Sequence, residues 1–209
     1  MDKITESLKT LLHLGTQISF FDNVISEYKK NEQYLNEIKL QGFYSDKPFT
    51  KTVSGFLQNY QTIIICSLLD EFDREFTPIK HPNFSDKILN VKKITKPIRK
   101  RISQWKDLKN FRNHILAHNL RENNNSIFSN KNILKTYKIP FSNSEHQLLV
   151  QLSLLIVNLT SEIFQDIVSK IDSTENILSR INLEYNEINT QEEYLVIYTE
   201  CLEQLKNYS

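Results

Sequence analysis

Glycine and proline are scarce in this chain, with three and five copies among 209 residues. Turns and strand ends need such residues while long helices need few, so an all-α fold is expected. Cysteine is equally sparse. Cys66 and Cys201 fall in helix-like patterns without ligand spacing around them, which reads as two buried thiols rather than a zinc site or a disulfide frame. No run reaches the roughly 18 apolar residues of a membrane span; TIIICSLL at Thr62–Leu69 is the most apolar stretch and is too short. The opening MDKITESLKTLLHLG has no basic segment followed by an apolar one, so no signal peptide is read and a cytoplasmic location is expected. Phosphate-cradling glycine loops, a GxSxG elbow and an HExxH helix are all missing, so no cofactor is expected.

What is present suits a packed core. Hydrophobic residues make up 39% and charged residues 24%, and the length fits a single domain spanning 1–209. Net charge is only +1, yet it is unevenly spread. From Lys87 to Arg121 there are eleven basic residues against one acid, Asp107, which leaves the rest of the chain near −9. Eight acids within 171–209, against Arg180 and Lys206, supply much of that. Such asymmetry points to a polyanionic ligand; the plainer alternative is a solvated face that pairs with acids elsewhere in the fold.

Apolar residues recur at helical steps through most of the chain. Ile4, Leu8, Leu11, Leu12, Ile18, Phe21, Ile25, Tyr28, Leu35 and Ile38 predict one long or once-broken helix over about 3–41. Pro48 is placed to open a second helix, which the stride from Val53 to Phe72 carries to about Phe76. The unbroken Thr62–Leu69 run makes this helix central. After the TPIKHPNFS connector, Ser85 is read as the cap of a short helix to about Val91. Pro97 then opens a third main helix through Ile102, Trp105, Leu108, Phe111 and Ile115, with the basic residues on its other faces. A polar loop comes next, and SNSE at Ser142–Glu145 forms a capping box for a strong fourth helix running to Ile171. Caps at Asp172–Glu175 and Thr190–Glu193 start two shorter acidic helices over 172–207, although INLEYNEI also alternates in the manner of a strand.

The chemistry concentrates in FRNHILAHNL, Phe111–Leu120. Arg112 offers a planar, permanently charged fork suited to phosphate oxygens, and His118 titrates near neutral pH. These are the tools for cutting RNA without metal. One group moves a proton at the 2′-hydroxyl or the leaving 5′-oxygen, and a cation stabilises charge building on phosphorus. Asn113 can orient either group. On a continuous helix Arg112 and His118 would differ by roughly 120° and about 9 Å, so a tight site needs a break in the helix or a second copy facing the first. His114 and His118 stand at the i, i+4 spacing of a metal pair, but only Asp107 and Glu122 are near in sequence, so no metal site is read. Arg99, Lys100, Arg101, Lys106, Lys109 and Arg121 are candidate phosphate contacts. His13 and His81 read as structural, His146 as surface, and Trp105 and Phe111 as core.

RNHILAH resembles the Arg–x(4–6)–His motif of the HEPN superfamily, in its abortive-infection and toxin branches. Asn113 and Ala117 match residues common in that motif. The resemblance implies an all-α bundle of four main helices, with its core over about 50–170, usually assembled as a homodimer. It also implies a metal-independent endoribonuclease with Arg112 and His118 catalytic and Asn113 supporting, RNA as substrate, and an antitoxin protein as a further partner. An acid on an earlier helix often joins such a site. Asp70, Glu71 and Asp73 in LLDEFDREF are available, His114 lies one turn before His118, and nothing in the sequence selects among the acids. The alternative is a non-catalytic helical module that binds a nucleic acid, a nucleotide or a protein through its basic helix, or one that only dimerises.

Overall fold

The computed structural model describes residues 2–31, 49–116, 121–122, 125–126 and 137–171, all within one unit, Met1–Ile171. Helix α1 spans Lys3–Lys30 and buries Ile4, Ser7, Leu8, Leu11, Gly15, Ile18 and Ile25, the face its apolar stride predicts. It covers the first part of the long or once-broken helix expected over 3–41, and residues 32–41 lie outside the described residues. Asn31 closes it, returning both its backbone amide and its side-chain amide to the carbonyl of Glu27.

Helix α2, Phe49–Asp70, is the central element. It packs against α1 and against α6, Asn143–Ile163, so Ile64, Ile65, Cys66 and Leu68 are buried at 4% exposure or less. Its apolar run is therefore contacted from several sides, as a continuous run requires. Beyond Asp70 the backbone widens into a π turn, Glu71–Glu75, and stops at Phe76. Phe72, Phe76 and Phe164 are fully buried here, with Phe76 edge-on to Phe164 at 5.5 Å.

Two expectations for the middle of the chain need correction. Ser85 does not cap a helix; it is the first residue of α3, Ser85–Ile94, and Phe84 precedes it after a short 3₁₀ turn. The expected third main helix is also not continuous. It is α4, Lys96–Ile102, then turns over 103–107, then a single helical turn α5, Leu108–Phe111, and then a π turn, Arg112–Leu116. The cause is visible in the hydrogen bonds. Trp105 donates its amide to the carbonyl of Ile102, and Leu108 donates to Trp105, so the backbone tightens to i→i+3 bonding. Asp107 is meanwhile tied to residue 138: its carboxylate accepts the Lys138 amide at 2.8 Å and its own amide donates back at 3.3 Å.

Ser142 caps α6 as predicted, accepting the Glu145 amide, while the Glu145 carboxylate accepts the amide of Phe141. The fourth helix is interrupted at Phe164 and resumes as α7, Gln165–Val168. Arg121–Glu122 (β1) and Asn125–Ser126 (β2) form a two-residue antiparallel ladder. The described residues are otherwise helical or irregular, and the architecture is all-α. None of the described helices is long and apolar enough to cross a membrane. Pro48, Cys201, the caps at 172–175 and 190–193, and the INLEYNEI stretch lie outside the described residues.

Candidate functional site

The end of α2 and the turn after α5 meet at an ion-pair cluster. Asp70, the last residue of α2, accepts a hydrogen bond from Lys109 Nζ at 2.6 Å on Oδ1 and from Arg112 Nη1 at 2.9 Å on Oδ2. Arg74 Nε lies 3.8 Å away on the solvent side. Burial acts to raise the Asp70 carboxyl, but the bonds and charges of Lys109 and Arg112 outweigh it and hold the group below the usual carboxylate range. Arg112 also donates Nε–H to Asn113 Oδ1 at 2.9 Å. Its inner edge is thus occupied, and among the described residues Nη2 has no partner. Among the described residues the fork is held from two sides, which leaves Nη2 to donate to an anion.

Each partner borders a π turn: Asp70 precedes Glu71–Glu75, and Arg112 opens Arg112–Leu116. A π turn admits an extra residue and rotates the chain beyond it, which is how single residues are re-aimed at functional positions. At Arg112 the backbone passes from α to π geometry. Phe111 and Leu116 anchor this turn by packing on Tyr137 and Ile139.

Of the three neighbouring acids, the fold brings only Asp70 to Arg112. The Glu71 carboxylate turns toward α1 and accepts the Ser7 hydroxyl. Asp73 forms an ion pair with Arg99 at 2.6 Å. Beside it Lys92 is half-buried, donating to the Phe72 carbonyl with its ammonium 3.6 Å from the Phe72 ring centroid. Burial lowers this lysine to about 8, with Arg99 opposing its charge and Asp73 supporting it.

The candidate RNA contacts are in several situations. Arg99 and Lys109 are paired with acids, the plainer of the two readings of the basic stretch, whereas Lys100 and Lys106 have no acidic partner among the described residues. Arg101 stacks on Trp105, its guanidinium carbon 4.1 Å from the ring centroid, and Trp105 is 5% exposed, in the core as expected. Arg99, Lys106, Lys109 and Trp105 nevertheless line one cavity of about 300 Å³ together with Asp73. Arg121 is placed by its backbone in β1, and His114 by its backbone in the π turn with Arg112. His118 lies outside the described residues.

Sequence reasoning missed His146, read there as a surface residue. It is 9% exposed, and its Nε2 lies 2.8 Å from Gln61 Oε1. Gln61 is wholly buried and donates its own amide to the Ile18 carbonyl at 2.9 Å, so its oxygen accepts and His146 Nε2 carries the proton. Burial pushes the imidazole down to about 4, leaving it neutral at physiological pH. Position in the first turn of α6 was the misleading signal; the inward-facing partner on α2 cannot be read from the local pattern.

Cys66 is buried against the same wall, its thiol donating to the Leu108 carbonyl at 3.9 Å and pushed up to about 11 by burial. Among the described residues no group of three or more His, Cys, Asp or Glu side chains is placed to hold a metal ion. No family model matches the sequence, and no curated protein or solved structure matches it.

Proposed function

We propose that this protein is a metal-independent endoribonuclease of the HEPN type, acting in the cytoplasm as a toxin or phage-defence effector. The observation that carries the reading is the Asp70–Arg112–Asn113 arrangement. A guanidinium is clamped by a carboxylate and an amide, its Nη2 has no partner among the described residues, and it opens a π turn six residues before His118.

In this mechanism Arg112 holds the scissile phosphate through Nη2 and offsets charge growing on its oxygens. The 2′-hydroxyl oxygen attacks phosphorus and passes its proton to a base. The bond from phosphorus to the 5′-oxygen breaks, and that oxygen takes a proton from an acid. The products are a 2′,3′-cyclic phosphate and a free 5′-hydroxyl. His118 supplies one of the two proton transfers, and the second copy in a homodimer supplies its counterpart. Asn113 and Asp70 position Arg112. Arg99, Lys100, Arg101, Lys106, Lys109 and Arg121 provide the charge that holds the strand, and an antitoxin protein would restrain the activity.

The second reading is a non-catalytic module that binds nucleic acid, a nucleotide or a protein through the same basic surface. The intrachain bonds of Arg112 favour a non-catalytic role for it, while the pairing of Arg99 and Lys109 with acids leaves Lys100 and Lys106 as the cations such a surface would offer. Incubating wild type, Arg112→Ala and His118→Ala with single-stranded and structured RNA in excess EDTA separates the two. Cutting by wild type alone, with cyclic phosphate ends, supports the nuclease. Equal RNA binding by wild type and His118→Ala, with no turnover by either, supports the binding module.

A further inference from the structure

A second cavity, of about 270 Å³, shares Leu108 of α5 with the basic one but is otherwise lined by different residues. Its polar wall is made by Gln58, Asn59, Thr62, Asn143 and His146, and Phe111, Ile139 and Pro140 give it apolar sides. Among the described residues that line it there is no charged side chain. That contrast with the Lys106–Lys109 side is chemical information. Among the described lining residues a phosphate would find no cation, and a hydrocarbon would strand the amides without partners. What fits is a flat, uncharged group with donors and acceptors on its edge.

The hydrogen bonds already made show which donors and acceptors remain. Thr62 donates its hydroxyl proton to the Gln58 carbonyl at 2.9 Å, leaving its oxygen to accept. Gln58 donates to Asn143 Oδ1 at 3.1 Å, which leaves Gln58 Oε1 as an acceptor and the Asn143 amide as a donor. Asn59 has no partner among the described residues and offers both. His146 is neutral, with its Nε2 proton committed to Gln61. Amides in this number match the mixed donor and acceptor edge of a nucleobase.

Position links the cavity to the ion-pair cluster. Phe111 lies in its wall and directly precedes Arg112, and Thr62 stands about 12 Å up α2 from Asp70. A base seated in the cavity therefore belongs to a nucleotide close to the phosphate held by Arg112.

We propose that this cavity is a base-recognition pocket, which takes one nucleobase of the RNA flanking the cut and sets the sequence preference. The proposal rests on the nuclease reading for its substrate, but its binding chemistry can be tested separately. Two arms are run on the full chain, with wild type and the double variant Gln58→Leu/Asn59→Leu. Both substituted positions are at least partly exposed, and circular dichroism checks that the variant folds.

The first arm titrates adenosine, guanosine, cytidine and uridine, with ribose 5-phosphate as control, and follows binding by saturation-transfer NMR. The second measures cutting of RNAs with each base at the positions flanking the scissile bond. The expected result is selective binding of one or two nucleosides to wild type alone, and a preference of at least about fivefold at one fixed position. In the variant the preferred RNA falls to the level of the others. Cutting without base preference, or a preference the variant leaves intact, overturns the pocket while the nuclease stands. Nucleoside binding that the variant abolishes, with no cutting by wild type, supports the pocket and removes the nuclease. Neither binding nor cutting overturns both.

Discussion

Arg112 Nη1 donates to Asp70 Oδ2 at 2.9 Å, joining residues 42 apart in sequence at the ends of two elements that both continue as π turns. The pair is four-fifths buried, at 21% and 20% side-chain exposure, so its geometry is better protected from solvent than that of the exposed pairs Lys30–Glu27 and Lys80–Glu75.

Arg112→Lys keeps the charge and removes the fork. A single ammonium cannot hold Asp70 and Asn113 and still present a donor edge to phosphate. Under the proposed nuclease function, RNA cutting is expected to fall by about 100-fold or more in single-turnover assays, with the circular dichroism spectrum unchanged. Asp70→Asn leaves Lys109 and Arg112 facing each other without a counter-charge. It is expected to cost roughly 1–2 kcal/mol in urea unfolding and to lower cutting as well. Full activity in Asp70→Asn would remove Asp70 from the site.

His146 makes stability depend on pH. Its folded-state pKa, about 4, lies below the ordinary histidine value of 6.5 in the unfolded chain. Protonation therefore favours unfolding: the contribution is complete above about pH 6.5 and is lost as pH falls toward 4, with a full size of about 3 kcal/mol. The Asp70 carboxyl is also depressed, so its own loss comes at lower pH, below the ordinary carboxylate range. Urea midpoints measured from pH 7.5 to 4 should decline through the histidine window, and His146→Gln should flatten that decline. An equal slope in both proteins would contradict the buried, neutral assignment.

Cys66 should behave as a reporter of unfolding. The thiol is fully buried and pushed up to about 11, so it is neither accessible nor ionised at pH 8. In a Cys201→Ser background, labelling by an aromatic disulfide reagent is expected only at the rate of global opening and to accelerate with urea. Rapid labelling of the native protein would show that the wall between α2 and α5 opens locally.

Gly15 is where α1 and α6 approach closely. A Cβ there would stand 3.0 and 3.1 Å from the two Cγ atoms of Val157 and 3.4 Å from its Cβ. Valine in a helix has essentially one χ1 rotamer, so it cannot turn aside. Gly15→Ala should therefore lose more from overpacking than its helix propensity returns, a net destabilisation of about 1 kcal/mol. Gly15→Leu should cost well above 2 kcal/mol. Combining Gly15→Ala with Val157→Ala should give a favourable coupling energy in a double-mutant cycle.

Periodicity alone made the all-α class, the central position of Thr62–Leu69 and the buried face of α1 legible, because an amphipathic helix writes its packing into a 3.6-residue stride. The Ser142–Glu145 cap was legible for the same local reason: donor and acceptor lie three residues apart. The charge asymmetry and the Arg112–His118 spacing were also plain in the sequence. The tertiary structure decided the relationships between distant residues. Apolar spacing from Ile98 to Ile115 fits a continuous helix, and only the tie between Asp107 and residue 138 shows why the chain breaks there. Asp70, Glu71 and Asp73 are chemically interchangeable in sequence. Asp70 faces Arg112 from the last turn of α2, and the π turn after it carries Glu71 to Ser7 and Asp73 to Arg99. His146 sits in a polar first turn, yet it is buried by Gln61, 85 residues away. Local pattern determines which elements form; which side chains meet is set by how those elements pack.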